Sequence, residues 1–168
     1  MVIWITGLSA SGKTTLSKAF EKKYKSKLSN MVLVDGDVIR DLFGNDLGFT
    51  ERDRQIQIGR MQAIASFLEK QSILVIVAAL YSNKELLERN RKLFDEYYEV
   101  YLKADIDLLQ TREFKELYKN ALAQKVKNVV GVDITWHEPV TSHLVFEVAK
   151  GMVPEEMAEI IYNNIYKK

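Results

Sequence analysis

The sequence predicts an α/β fold, a three-layer sandwich with a mostly parallel sheet, helices on both faces and a lid. Three observations predict it. Short apolar strands alternate with helical segments along the chain, a pattern that builds a parallel sheet covered on both sides. The segment Ile73–Ala79 is continuously apolar, as expected of a strand with both faces buried. A glycine-rich turn joins the first strand directly to the first helix.

The elements follow in order. Val2–Thr6 reads as a short buried strand. Thr14–Lys25 reads as a helix with Leu16, Ala19 and Phe20 on one face and Lys22, Lys23, Lys25 and Lys27 on a solvated one. Met31–Val34 is the second strand and Asp37–Phe43 a short helix. Thr50-Glu51-Arg52-Asp53 has the form of a capping box and opens a long helix to about Gln71. Ser82-Asn83-Lys84-Glu85 is read as another, opening a helix to about Phe94. Tyr98–Leu102 is the fourth strand, Asp107–Ala123 is largely helical, and Leu144–Val148 is the fifth strand. Pro154 suits the first turn of a last helix, whose apolar face is Met157, Ile160, Ile161 and Ile165.

A length of 168 residues with no repeat or linker predicts one domain over 1–168. Lys plus Arg total 24 and Asp plus Glu 23, so no global field is available to hold a nucleic acid polymer. The absence of cysteine excludes disulfides and thiolate chemistry. No apolar run reaches membrane-spanning length, the longest being Ile73–Tyr81. With no basic and apolar leader at the start of the chain, the expected location is the cytoplasm and no membrane partner is expected.

Gly7-Leu8-Ser9-Ala10-Ser11-Gly12-Lys13-Thr14 matches the P-loop pattern G-x-x-x-x-G-K-[ST], with a strand before it and a helix after. Backbone amides of such a loop ring a phosphate, and the helix N-terminus adds partial positive charge. Gly7, Ser9, Ala10, Ser11, Gly12, Lys13, Thr14 and Thr15 are therefore the expected phosphate site for ATP. Lys13 would reach the β- and γ-phosphates and the Thr14 hydroxyl would bind Mg²⁺. The bland alternative is a turn without a ligand. Asn83-Lys84-Glu85-Leu86 lacks the final acid of a guanine-reading motif.

The second strand ends in Asp35-Gly36-Asp37. One carboxylate can hold Mg²⁺ and the other can orient an acceptor hydroxyl for in-line attack. Asp35 is assigned to the metal and Asp37, with Lys13, to catalysis. The alternative for Asp37 is a helix N-cap, which can coexist with a catalytic role.

With these motifs in place, the chain resembles the adenylylsulfate kinase family, within the wider group of P-loop NTPase-like folds. The resemblance rests on Trp4-Ile5-Thr6-Gly7-Leu8-Ser9, Asp35-Gly36-Asp37 with Arg40, Leu47-Gly48-Phe49-Thr50 followed by Asp53-Arg54, Arg112-Glu113-Phe114-Lys115-Glu116-Leu117-Tyr118-Lys119, and Gly131-Val132-Asp133. It implies MgATP-dependent phosphorylation of a nucleotide ribose 3′-hydroxyl. It also implies that Asp37 lies by that hydroxyl, that Arg40 and Arg54 grip the acceptor's anionic 5′ group, and that Phe49 packs on its base. Residues 112–130 would form the lid, with Arg112 on the ATP side and Lys115 and Lys119 neutralising charge during transfer. A homodimer is a further implication. The alternative for each of these cations is a solvated surface charge.

The departures from the family concentrate on the acceptor. Gln57 stands where the family has a nucleotide-reading asparagine, Gly59 where it has arginine, and Val38 where it has asparagine. Leu80-Tyr81-Ser82 replaces Ile-Ser-Pro, and Val129 replaces a stacking phenylalanine. The pattern therefore also resembles the cytidine diphosphoramidate kinases of bacterial capsule pathways. The competing function classes are a small-metabolite P-loop kinase of the gluconate or shikimate type and a non-catalytic nucleotide-binding module. His137 and His143 are a poor metal pair, Trp4 and the tyrosines near the fourth strand read as packing, and Trp136 is left open between a nucleotide and a partner surface.

Overall fold

The computed structural model describes residues 1–81, 83–112 and 116–167. The strands are β1 (Val2–Gly7), β2 (Met31–Asp35), β3 (Leu74–Ala79), β4 (Tyr97–Lys103) and β5 (Leu144–Glu147). They form one all-parallel sheet in the order β2-β3-β1-β4-β5. The helices are α1 (Lys13–Tyr24), α2 (Gly36–Leu42), α3 (Glu51–Glu69), α4 (Lys84–Leu93), α5 (Ile106–Arg112), α6 (Leu117–Leu122) and α7 (Pro154–Tyr166).

The side-chain alternation of β1 builds both outer layers. Val2 and Trp4 pack on one face with Ile58, Met61 and Ala65 of α3, Leu87 of α4, Leu109 of α5 and Tyr118 of α6. Ile3 and Ile5 pack on the other face with Leu16 and Phe20 of α1 and Met157, Ala158 and Ile161 of α7. Each such buried side chain contributes about 1.5–3 kcal/mol of transfer free energy. The lysine face of α1 is less idle than expected, since Lys23 crosses to Glu159 of α7 at 2.9 Å.

The box at the head of α3 forms as read: Thr50 Oγ1 accepts from the Asp53 N–H, and Asp53 Oδ2 accepts from the Thr50 N–H, both at 3.2 Å. The reading of the next cap is corrected. The N-cap of α4 is Asn83, whose Oδ1 accepts from the Leu86 N–H at 2.8 Å. An Asn one residue along satisfies the same orphan donor, and Ser82 lies outside the described residues. The largely helical stretch expected over 107–123 forms as two helices, α5 and α6, with Glu116 in the left-handed region at φ 48° ahead of α6. A helix does not run through such a residue.

β1 lies at the sheet's centre. The crossover from β1 runs towards one edge, and those after β2, β3 and β4 run towards the other. The loops leaving β1 and β3 therefore part company. In open parallel sheets that divergence makes the ligand crevice.

Candidate active site

The loop after β1 is shaped by two glycines for different reasons. At Gly7 a Cβ would lie 2.7 Å from both the Leu102 carbonyl oxygen and Ser11 Oγ, so a side chain cannot fit against the neighbouring strand. Gly12 sits at φ 100° as the N-cap of α1, a backbone form open chiefly to glycine. Ala10, also left-handed at φ 60°, completes a loop of alternating hand, the form in which successive N–H groups converge on an anion. Ser9, Ala10, Gly12, Lys13, Thr14 and Thr15 line a cavity of about 330 Å³ together with Asp35, Gly36 and Asp37. Gly7 and Ser11 stand behind it as the loop's framework, with Ser11 donating its N–H to the Leu8 carbonyl.

Lys13 is half-buried and folds back to donate to the Leu8 carbonyl at 2.7 Å. Desolvation pushes its pKa down to about 8, with Asp35 and Asp37 pulling the other way. A triphosphate in this loop would take the protonated amine from that carbonyl. Empty protein begins to lose the proton as pH rises through about 8, and binding must then restore it. Affinity for MgATP is expected to fall about tenfold between pH 7 and pH 9. Calorimetric titrations across that range check this, and Lys13→Arg should flatten the slope.

β2 ends one residue later than expected, at Asp35, which pairs in register with Ala78 of β3. Asp35, and not Asp37, is the N-cap of the short helix: its Oδ1 accepts from the Asp37 N–H at 3.0 Å. Both acids are good caps, and the point where the strand stops decides between them. Asp37 is thereby left uncommitted, with an exposed carboxyl facing the cavity. The other oxygen of Asp35, Oδ2, accepts from Thr14 Oγ1 at 2.6 Å. A hydroxyl and a carboxylate meeting beside a phosphate loop are the hard oxygen donors Mg²⁺ uses, since it takes one or two protein oxygens and completes its shell with phosphate and water. The residues fit that ion.

A second cavity, of about 410 Å³, opens on the far side of Asp37. Ser9, Gly36, Asp37 and Leu80 line both cavities, so the two join at Asp37. Its walls include Arg40, Phe49, Arg54, Gln57, Tyr81 and Val129. Arg40 and Arg54 flank one ring: their guanidinium carbons lie 4.6 and 5.6 Å from the Phe49 centroid. Arg40 donates to the carbonyls of Leu47 and Gly48, and Arg54 to those of Phe49 and Asn128. Neither forms an ion pair among the described residues. Burial and then the nearby Arg40 charge hold the Arg54 pKa below its usual value. Two converging cations without a carboxylate partner suit a bound anion, and arginine takes phosphate or sulfate bidentately.

Gln57 is 4% exposed; its Nε2 donates to the Gly36 carbonyl at 3.0 Å and its Oε1 has no partner among the described residues. Val129 is buried in the same wall, where its aliphatic side chain offers packing without an aromatic face. Tyr81 is also buried, and its hydroxyl meets Glu51 Oε1 at 2.6 Å. Lys119 stands apart: it is exposed on α6, paired with Glu116 at 2.9 Å, and lines neither cavity. A nearby opposite charge explains its position on the surface. The side chain of Arg112 and all of Lys115 lie outside the described residues.

Two parts of the site were given no role by the sequence reading, one of them Asp133, which entered only as a matching residue of Gly131-Val132-Asp133. A third cavity, of about 340 Å³, shares Gly12 and Thr15 with the phosphate cavity and is walled by Val148, Gly151, Met152, Val153 and Pro154. Asp133 braces the acceptor wall by accepting from the N–H groups of Asn128 and Val129 at 2.6 and 2.5 Å. Those two amides lower its pKa, and the same turn offers the Asn128 carbonyl to Arg54. Gly151 and Pro154 flanking an apolar pair were the only signal for the third cavity. The histidines add no metal centre: His143 Nδ1 accepts from the Glu99 N–H at 2.9 Å, His137 is exposed, and no cluster of candidate ligands exists among the described residues. Trp136 packs near Tyr101, with centroids 6.1 Å apart, and lines a separate cavity of about 590 Å³ with Leu8, Lys103 and Asp105, not the three described above.

The adenylylsulphate kinase family model matches residues 1–147. The chain is 36% identical to a cytidine diphosphoramidate kinase of Campylobacter jejuni over 163 residues, covering 95% of this chain and 94% of that protein. It is also 36% identical over 163 residues to an adenylyl-sulfate kinase of Geotalea uraniireducens, covering 96% of this chain and 78% of that one. The fold superposes with a TM-score of 0.88 on the APS kinase of Mycobacterium tuberculosis in complex with AMPPNP and APS, at 28% identity, covering 98% of this chain and 96% of that one. With the family model matched over residues 1–147 and relatives 36% identical along nearly its whole length, the chain belongs to the adenylylsulphate kinase family of ATP-dependent kinases.

Proposed function

We propose that the protein transfers the γ-phosphoryl group of ATP to the ribose 3′-hydroxyl of a small nucleotide carrying an anionic 5′ group. One observation carries the reading: the phosphate cavity and the double-arginine cavity meet at Asp37. A donor on one side and an acceptor on the other would face each other across that carboxylate.

ATP would lie along two adjoining cavities, its base against the 148–154 segment, its β- and γ-phosphates in the loop under Lys13. Thr14 and Asp35 would hold Mg²⁺, which when bound would supply positive charge to neutralise the phosphate oxygens. Arg40 and Arg54 fix the acceptor's 5′ anion, and Phe49 packs on its base. The acceptor 3′-oxygen forms the new bond to the γ-phosphorus as the bond to the β-bridging oxygen breaks, and its proton passes to Asp37. Lys13 follows the charge that develops on the transferring and leaving oxygens. Residues 112–130 serve as the lid, with α6 resting on the phosphate loop where Tyr118 Oη donates to the Ser9 carbonyl at 3.3 Å; Arg112, Lys115 and Lys119 would neutralise charge as the phosphoryl group transfers. The 168 residues work as one domain in the cytoplasm, where ATP is supplied. Leu42, Ile56 and Phe67, all exposed on α2 and α3, support pairing with a second copy.

Two acceptors fit these features, adenylyl sulfate and cytidine diphosphoramidate, and Val129 in place of an aromatic platform favours the second. Coupled ADP release against both is the test. We expect a higher kcat/KM with the cytidine acceptor, and an Arg54→Ala loss of about 30–100-fold in kcat/KM that falls on acceptor KM and spares ATP KM. A clear preference for adenylyl sulfate would reverse the choice of base. Absence of acceptor-dependent ADP with any nucleotide would reject the reading.

A further inference from the structure

The 43–49 segment between α2 and α3 carries Phe49, and burial does not hold it, because only Leu47 in it is even half-buried. Hydrogen bonds hold it instead. From α2, Arg40 donates to the Leu47 and Gly48 carbonyls at 3.2 and 3.0 Å. From α3, Arg54 Nε donates to the Phe49 carbonyl at 3.0 Å. Further along α3, Arg60 donates from both terminal nitrogens to the two carboxylate oxygens of Asp46, at 2.7 and 2.6 Å. Its guanidinium carbon also lies 4.3 Å from the Phe43 ring centroid. A forked contact laid on an aromatic ring has one geometry, which a lysine could not reproduce. The Arg60 hydrogen bonds hold the Asp46 carboxyl below its usual range, so the pair stays charged near neutral pH. Neither Arg60 nor Asp46 lines any of the cavities described above.

We infer that Arg60, acting through Asp46, is a positioning residue for the acceptor: it seats the 43–49 segment so that Phe49 and Arg40 face the acceptor cavity, without touching the acceptor itself. The inference rests on the nucleotide-acceptor reading above and adds a residue to it. Arg40 and Arg54 hold this segment and are also the two cations proposed to hold the acceptor's anion. An arriving anion therefore competes with the loop carbonyls for their N–H groups. Arg60 has no such second task, so its tie to Asp46 persists while the other two arginines engage the ligand. The pair is partly exposed, at 22% and 48% of the two side chains, and ion pairs of that kind add little to global stability. Its value is local, since a segment already fixed in its binding geometry has less freedom to lose on binding.

The test is a double-mutant cycle read by steady-state kinetics and thermal unfolding, with whichever of cytidine diphosphoramidate and adenylyl sulfate the unmodified protein turns over better. Arg60→Ala is expected to raise the acceptor KM about tenfold, with kcat within about threefold and the ATP KM within about twofold. Its Tm should stay within about 3 °C of the unmodified protein. Arg60→Lys keeps the charge and loses the fork, so its acceptor KM should fall between the two. Asp46→Ala should also raise the acceptor KM, and the double variant should be no worse than the worse single one, because both changes break the same tie. Losses that multiply in the double variant, to about 100-fold, would overturn the pairing. An acceptor KM unmoved by Arg60→Ala, or lowered by Asp46→Ala, would overturn the inference and leave the kinase reading standing. Equal rises in both KM values together with a Tm loss above about 8 °C would mark Arg60 as merely structural and also overturn it. No acceptor-dependent turnover by the unmodified protein would overturn the kinase reading and the inference together.

Discussion

Asp37→Ala is expected to lower kcat by about 10³-fold and to leave MgATP affinity within about threefold. The helix cap is made by Asp35, so removing the Asp37 carboxylate leaves α2 with its N-terminal hydrogen bond intact. Asp37 is exposed, so no buried packing is lost either. What disappears is the group at the junction of the two cavities, the one proposed to orient the acceptor hydroxyl and take its proton. Binding of the donor depends on the loop and on Lys13, which persist. Steady-state kinetics together with calorimetric ATP binding separate the two effects. A variant retaining more than about a tenth of the turnover would remove Asp37 from the mechanism, because general-base contributions run to 10²–10⁴-fold.

Lys13→Ala is expected to be as severe in turnover, by about 10³-fold or more, and unlike Asp37→Ala to weaken MgATP binding as well. Its ammonium is the one side-chain cation that lines the phosphate cavity among the described residues. It sits where desolvation makes a charge contact strong, as the lowering of its pKa to about 8 indicates. The alanine variant should remain folded, since among the described residues the one hydrogen bond it loses is to the Leu8 carbonyl at the cavity's edge. Circular dichroism guards that point. An unchanged ATP affinity in folded Lys13→Ala protein would mean that the triphosphate binds elsewhere.

The parallel α/β sheet was legible without tertiary information, because burial on both faces writes itself as continuous apolar runs such as Ile73–Ala79, whereas the strand order was not. The phosphate loop was equally legible, for its geometry depends on residues that adjoin in the chain. Legibility failed where two residue types were equally competent locally. Asp35 and Asp37 can each cap α2, and Ser82 and Asn83 can each head α4; the strand or loop end selects one. It failed again where distant segments meet. The cavity beside Gly12 and Thr15 exists only because the 148–154 segment folds against α1, and no spacing rule connects those positions. Arg40, Phe49 and Arg54 were each visible as candidates, but their gathering around one aromatic ring is a tertiary fact. Lys119 is exposed and paired with Glu116 one turn away, a tertiary placement that its motif does not specify.

The arginine cavity and the phosphate loop together commit the protein to one chemical outcome, and the product itself is the most direct witness. Incubation with MgATP and a nucleotide acceptor, followed by mass and phosphorus spectroscopy of the acceptor, should show one phosphoryl group gained at the ribose 3′-oxygen, with a 3′-deoxy acceptor left unmodified. A phosphoryl group on another oxygen, or ADP released at the same rate without any acceptor, would contradict the account.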